Sequence, residues 1–343
     1  MTDLTGSLRS LLRDLTAVPG ISGLEDAAAA RFADLLRPYA ASVQTDALGS
    51  VIARFDGHSG RRVAVLAHLD TVGLMVKHSR RDGSLGVVPV GGANLKALSG
   101  AAVRVGDLPG VIGVRSQHQA QPGDAVTSAD DLYVDVGGAP VEITTPITYA
   151  PQFVELAGGL VASPYLDDRA GCAVLVELAR RLASGSFHTV YLIGTVQEET
   201  TCAGAYHALQ AVAPEAALFV DGTLSYDTPD TQARGGVALG AGPVLTAFLY
   251  VSGLNGWHAH PGLRAHLRQI AAGADLSIQQ DAVHGLMSDA RAVTWLGLPS
   301  ALVGLPMRGK HAPLEIVHLD DLAGAVNLLD TALRLPLPAL TRG

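Results

Sequence analysis

Four uninterrupted apolar runs constrain this chain more than any other feature. They are "VAVLA" (63–67), "TVYLIGTV" (189–196), "AALFVD" (216–221) and "SALVGLP" (300–306). A strand with one wet face alternates apolar and polar residues. A strand without that alternation is covered on both faces, as in the largely parallel sheets of α/β domains. The covering layers are also visible. Amphipathic helical patterns occur at residues 1–20, at 24–40 with acidic residues in the first turn, and in "GCAVLVELARRLASG", "HPGLRAHLRQIAAGA" and "LDDLAGAVNLLDTALRL". "SVQTDALGSVIARFDG" reads as a strand, a glycine turn and a strand.

The texture changes after residue 72. From 73 to 162 the chain is rich in Gly and Val and in short alternating runs such as "GSLGVVPVGG", "AAVRVGD" and "DLYVDVGG", with no helical pattern longer than two turns. This predicts a small β-domain, barrel-like, inserted into the α/β domain. The expected division is 1–72 and 163–343 for the α/β domain and 73–162 for the insertion. A length of 343 residues suits two such units.

Charge and composition exclude several classes. The formal net charge is -8, and only three lysines occur (Lys77, Lys96, Lys310), so there is no basic stripe for nucleic acid. No apolar run reaches the roughly 18 residues of a membrane span. The N-terminal segment lacks the basic head and apolar block of a signal peptide. The two cysteines, Cys172 and Cys202, make no disulfide framework, which points to the cytoplasm.

The chemistry sits where the apolar runs end. "VAVLAHLD" ends in His68 and Asp70, "TVYLIGTVQEE" in Glu198 and Glu199, "ALFVD" in Asp221, and "SALVGLPMRGKH" in His311. The "DD" of "YLDDR", Asp167 and Asp168, begins a helix. In open α/β sheets the ligand crevice lies outside the carboxyl ends of the strands. Two histidines and several carboxylates suit zinc, cobalt or manganese, and there are enough for two ions with one carboxylate bridging. Of the Glu-Glu pair, one member could bind metal while the other serves as general base. One of the two aspartates of "DD" could be a ligand, and that choice stays open on residue types alone.

The motifs "AHLDTVGLMV", "LDDRAGCAVLVEL", "TVQEETTCAGA", "LFVDGTLSYDTPD" and "RGKHAPLEIVHLDDL", with "AVPGISGLEDAAA" and "TDALGSVIARFDG", resemble the di-metal tetrahedral aminopeptidases of metallopeptidase family 42 over nearly the whole chain. The resemblance implies a di-zinc exopeptidase-like fold and two divalent ions per subunit: zinc first, with cobalt or manganese as alternatives. It implies that His68 and Asp221 hold the first ion, Glu199 and His311 the second, and that Asp167 bridges them through a cis bond to Asp168. Glu198 would be the general base, taking a proton from water to leave the metal-bridging hydroxide as nucleophile. Asp70 would accept the other ring N–H of His68 and fix its tautomer.

The implied activity is removal of N-terminal residues from peptides. The implied assembly is a homo-oligomer, from dimer to tetrahedral dodecamer, with the inserted domain organising contacts. Competing readings are a di-zinc deacylase or carboxypeptidase and a non-catalytic peptide-binding shell. Departures from the family occur at "LGS" (48–50), "GVIGVRSQHQAQPGDA" (110–125), "HGLMSDARA" (284–292) and "SGLNGWHAHPGLRAHL" (252–267), where the substrate pocket and assembly contacts are expected. His258 and His260 within the last read as ordinary loop histidines.

Overall fold

A computed structural model describes residues 3–114, 126–253 and 255–340. The departure from the family at 110–125 therefore lies mostly outside the described residues, and Leu254 does too.

Helices α1 (Leu4–Thr16) and α2 (Asp26–Leu36) open the chain. Asp3 caps α1, accepting the Gly6 N–H. Strands β1 (Ser42–Thr45) and β2 (Val51–Phe55) form a hairpin whose turn is held by Asp46, which accepts the N–H groups of Leu48, Gly49 and Ser50 at 2.9 Å each. β3 (Arg62–His68) follows, buried from Val63 onward.

Six strands then close a barrel: β4 (Gly73–Ser79), β5 (Leu85–Val90), β6 (Ala102–Val105), β7 (Leu108–Val114), β8 (Leu132–Asp135) and β9 (Pro146–Tyr149), paired in the order β4-β5-β8-β7-β6-β9. Its interior is a separate apolar cluster that includes Leu74, Val87, Ile112, Val134 and Ile147. The strands "FVELAGGLVA" was expected to add to this unit, β10 (Val154–Glu155) and β11 (Leu160–Ser163), pair elsewhere. They form a three-stranded sheet with β18 (Glu315–His318), so barrel pairing ends at Tyr149.

The remaining elements are α3 (Leu166–Leu182), β12 (Thr189–Thr195), α4 (Ala203–Val212), β13 (Ala216–Leu224), β14 (Val244–Tyr250), β15 (Gly256–His258), α5 (Pro261–Gly273), β16 (Gln279–His284), α6 (Ala292–Leu296), β17 (Ser300–Met307) and, after β18, α7 (Leu319–Arg334). The large sheet runs β1-β2-β12-β3-β13-β17-β14-β15, with β16 paired to β14. Only β12, β3, β13 and β17 form a continuous parallel centre. β2 joins β12, and β14 joins β17, antiparallel. The sheet is therefore mixed rather than mainly parallel. The four parallel strands are the four apolar runs. β1 and β2 run antiparallel because the tight Asp46 turn joins them, and a tight turn joins only antiparallel neighbours.

The larger core cluster joins one face of the sheet to α1, α2, α3, α5 and α7, and the smaller one joins the other face to α4 and α6. α3 is buried along nearly its full length. No helix among the described residues is long and apolar enough to cross a membrane.

Candidate metal centre

The parallel strands deliver their last residues to one place. His68 ends β3, Asp221 lies in β13 beside Gly304 of β17, and the Glu198–Glu199 turn follows β12. Asp167 precedes the helical part of α3. Its dihedrals and those of Asp168 are non-helical, and the peptide between them is cis. His311, with φ of 67°, sits in the turn between β17 and β18.

These side chains converge. His68 Nε2 lies 3.5 Å from Asp167 Oδ1, 3.8 Å from Asp221 Oδ1 and 3.9 Å from Glu198 Oε2. His311 Nε2 lies 3.3 Å from Asp167 Oδ2 and 3.2 Å from Glu199 Oε1. Asp167 thus turns one oxygen to each histidine. Three sets of potential ligand atoms result: His68, Asp167 and Asp221; Asp167, Glu199 and His311; and His68, Glu198 and Glu199.

The donor set fits divalent cations. Asp167 is buried, yet neither of its oxygens receives an aligned hydrogen bond, and Glu199 Oε1 is equally unpartnered. Buried carboxylate oxygens without donors are costly unless a cation satisfies them. The charge excess points the same way. Burial lowers the basicity of His311, but the Asp167 and Glu199 carboxylates outweigh it and raise its pKa to about 11. Asp289, three elements away in sequence, is pushed up to about 7 by burial, with Asp70 and Asp221 adding to the rise.

Both histidines are oriented by main-chain carbonyls. His68 Nδ1 is 3.0 Å from the Asp70 carbonyl oxygen, and His311 Nδ1 is 2.8 Å from that of Gly92. A carbonyl only accepts, so Nδ1 carries a hydrogen in each ring, and Nε2 is the nitrogen left facing the carboxylates, the one that would ligate a metal. The barrel side of the molecule contributes here: Gly92 lies just past β5, and Asn94 N–H donates to the His311 carbonyl at 3.1 Å.

Asp70 meets the His68 ring through its main-chain carbonyl rather than its carboxylate. Its carboxylate stands 3.6 Å from His68 Nδ1, farther than its own carbonyl. Its two oxygens instead accept the N–H groups of Glu198 and Glu199, at 2.9 and 3.0 Å. Asp70 is fully buried, and it pins the Glu-Glu turn. Asp168 holds backbone rather than facing the cluster: it accepts the His68 N–H at 3.3 Å and the Gly171 N–H at 2.9 Å. That settles which member of the Asp-Asp pair faces the histidines.

Glu315, which sequence reasoning missed, is the counterpart of Asp70. It is buried and accepts the Asp167 N–H at 2.9 Å and the His311 N–H at 2.6 Å. The available signal was an acid four residues after His311, at the start of a strand. Lys310 was missed too. Its ammonium lies 2.7 Å from Asp167 Oδ2 and 3.4 Å from Asp221 Oδ1. His260 is not part of the cluster: its Nδ1 accepts the Leu263 N–H at the start of α5. His258 is exposed beside Phe248.

A cavity of about 450 Å³ lies between barrel residues such as Ala102 and Tyr149 and the loop Ala312–Leu314, and none of the cluster side chains lines it.

Known proteins resemble this chain in sequence and in fold. The M42 glutamyl aminopeptidase family matches residues 49–328. The chain is 31% identical to lysyl aminopeptidase of Pyrococcus furiosus, covering 93% of this chain and 94% of that one. The structure of aminopeptidase APDkam598 from Desulfurococcus kamchatkensis superposes with a TM-score of 0.90 at 28% identity, covering 97% and 96% of the two chains. TET1 peptidase of Pyrococcus horikoshii, which can assemble into a tetrahedron or a large octahedral shell, superposes with a TM-score of 0.84 at 27% identity over 95% of this chain and 99% of that one. On this breadth of match the chain belongs to the M42 glutamyl aminopeptidase family, hydrolases that act on peptide bonds.

Proposed function

We propose that the protein is a two-metal aminopeptidase that removes residues from the N-terminus of peptides. His68, Asp167 and Asp221 would hold one divalent ion, and Asp167, Glu199 and His311 the other. Zinc suits this nitrogen and oxygen set, with cobalt and manganese as alternatives. The observation that carries the reading is the position of Asp167: buried between the two histidines, with one oxygen toward each.

Bound cations supply Lewis-acid activation of water and of the scissile carbonyl. The chain supplies the proton transfer. Glu198 Oε2 takes the proton of the attacking water and passes it to the leaving amine. Burial first, then the charges of Glu199, Asp221 and Asp289, raise the pKa of Glu198 well above the usual carboxylate range, which suits a proton acceptor. Asp70 fixes the turn that carries it. The solved neighbours that form closed shells support a homo-oligomeric assembly, from dimer to dodecamer. Two unpaired buried cysteines support a cytoplasmic setting.

The test is a panel of free-amine and N-acylated aminoacyl substrates, assayed after chelation and after return of zinc, cobalt or manganese. Metal-dependent cleavage of the free-amine substrates is expected. Cleavage of only the acylated ones would make the protein a deacylase. Two bound ions with no cleavage across the panel would make it a peptide-binding shell.

A further inference from the structure

One feature of the cluster is left unused by that function: a lysine already lies in it. Lys310 is one of only three lysines in the chain, and it immediately precedes His311. Its side chain is 10% exposed. Three oxygens surround Nζ: Asp167 Oδ2 at 2.7 Å, the Gly222 carbonyl at 3.0 Å and Asp221 Oδ1 at 3.4 Å. The Gly222 carbonyl and Asp221 Oδ1 accept hydrogen bonds from Nζ, and Asp167 Oδ2 completes the seat as an ion pair. The side chain is thus seated, and the seat uses two of the carboxylates assigned above to cations.

The two ligand sets are affected unequally. Asp221 belongs only to the set with His68, and Asp167 belongs to both. The set with His68 therefore has both of its carboxylates engaged by Lys310. The set with His311 shares only Asp167 with the lysine, and Glu199 Oε1 there has no hydrogen-bond partner. An ion entering beside His68 must share or displace the ammonium's oxygens and must sit near a fixed positive charge. An ion entering beside His311 meets that obstacle through one carboxylate alone.

We propose that Lys310 is a built-in competitor for one of the two cations: its ammonium holds the edge between Asp167 and Asp221, so the His68 side takes up its ion more weakly than the His311 side. The protein then loads in sequence, one ion tightly and the second only when free metal is plentiful, and Lys310 sets the metal level at which the pair is complete. This rests on the two-cation reading of the site.

The test is metal binding, independent of turnover. Chain freed of metal by chelation is titrated with zinc alone by calorimetry, and bound zinc is counted by elemental analysis. The wild type should bind one ion and then a second at least tenfold more weakly. Lys310→Met should raise the affinity for the second ion at least tenfold, and Lys310→Arg, which keeps the charge, should preserve the gap. Two ions bound with equal affinity by the wild type would overturn the proposal while leaving the proposed function intact. So would a Lys310→Met protein whose second ion binds no more tightly, or more weakly, because that would make Lys310 an organiser of the site. No bound zinc at all would overturn the two-cation reading itself. If Lys310→Met does not fold, anomalous diffraction from wild-type crystals holding one equivalent of zinc decides. Density between Asp167, Glu199 and His311 is expected, and density between His68 and Asp221 overturns the proposal.

Discussion

Replacing Asp70 by asparagine separates two ways in which this buried carboxylate could serve the site. If it acts through the ring of His68, little should change, because His68 Nδ1 already donates to the Asp70 main-chain carbonyl at 3.0 Å, which the substitution keeps. Its carboxylate instead accepts the Glu198 and Glu199 N–H groups, at 2.9 and 3.0 Å. Asparagine keeps one acceptor oxygen and turns an NH₂ group toward the other N–H. One buried donor is then left unpaired, a loss of about 1–3 kcal/mol. Expressed as turnover, and taking tenfold per 1.36 kcal/mol, that is roughly 5- to 150-fold in kcat/KM. The turn carries both the proposed base and a proposed ligand, so zinc affinity should fall with kcat/KM. Asp70→Ala, which orphans both donors, should lose more of each. The assay is hydrolysis of a free-amine chromogenic substrate at saturating zinc, with zinc affinity measured on the same preparations. An Asp70→Asn protein within twofold of wild type in both would refute the assignment of Asp70 to the turn.

Other expectations follow from the same contacts. Glu198→Gln should keep its bound metal and lose about 10²- to 10⁴-fold in kcat, measured by elemental analysis and steady-state kinetics. Glu315→Ala removes the acceptor of the Asp167 and His311 N–H groups, and should weaken zinc binding by about 10- to 100-fold, read by calorimetry. Arg308 donates two hydrogen bonds to Asp227, at 2.8 and 2.7 Å, and these hold the carboxyl at a pKa of about 2. A depressed carboxylate stabilises the fold above its unfolded pKa, near 3.8, and that contribution fades as pH falls toward 2. Arg308→Met should therefore unfold more easily than wild type at neutral pH, and denaturant titrations should show the difference shrinking between pH 4 and pH 2.

Much of the site is legible in the sequence because of how parallel strands are built. Residues such as Val63–Ala67 and Ala216–Val220 are apolar on both faces, so each strand announces itself, and its first polar residue marks the crevice. His68 and Asp221 are found this way, and His311 follows in the turn after β17. The parts that were not legible depend on tertiary approach. Glu315 reads as a strand acid, and only the fold brings it against the N–H of Asp167, 148 positions earlier. Lys310 reads as a loop cation beside a histidine. The carboxylate of Asp70 could be aimed at either neighbour, and the choice is made by where the β12 turn comes down. In the fold, β14 and α4 escaped notice, although the β14 run "VLTAFLY" is apolar along the face of Leu245, Ala247 and Leu249. "FVELAGGLVA" has the look of a barrel strand, but its partner is β18, near the other end of the chain.

Anomalous diffraction at the zinc edge, from crystals grown with saturating zinc, goes most directly to the central claim. Two peaks in each chain are predicted, one among His68, Asp167 and Asp221 and one among Asp167, Glu199 and His311, with Asp167 common to both. Zinc found only elsewhere on the protein, or peaks that leave Asp167 without contact to either ion, would contradict it.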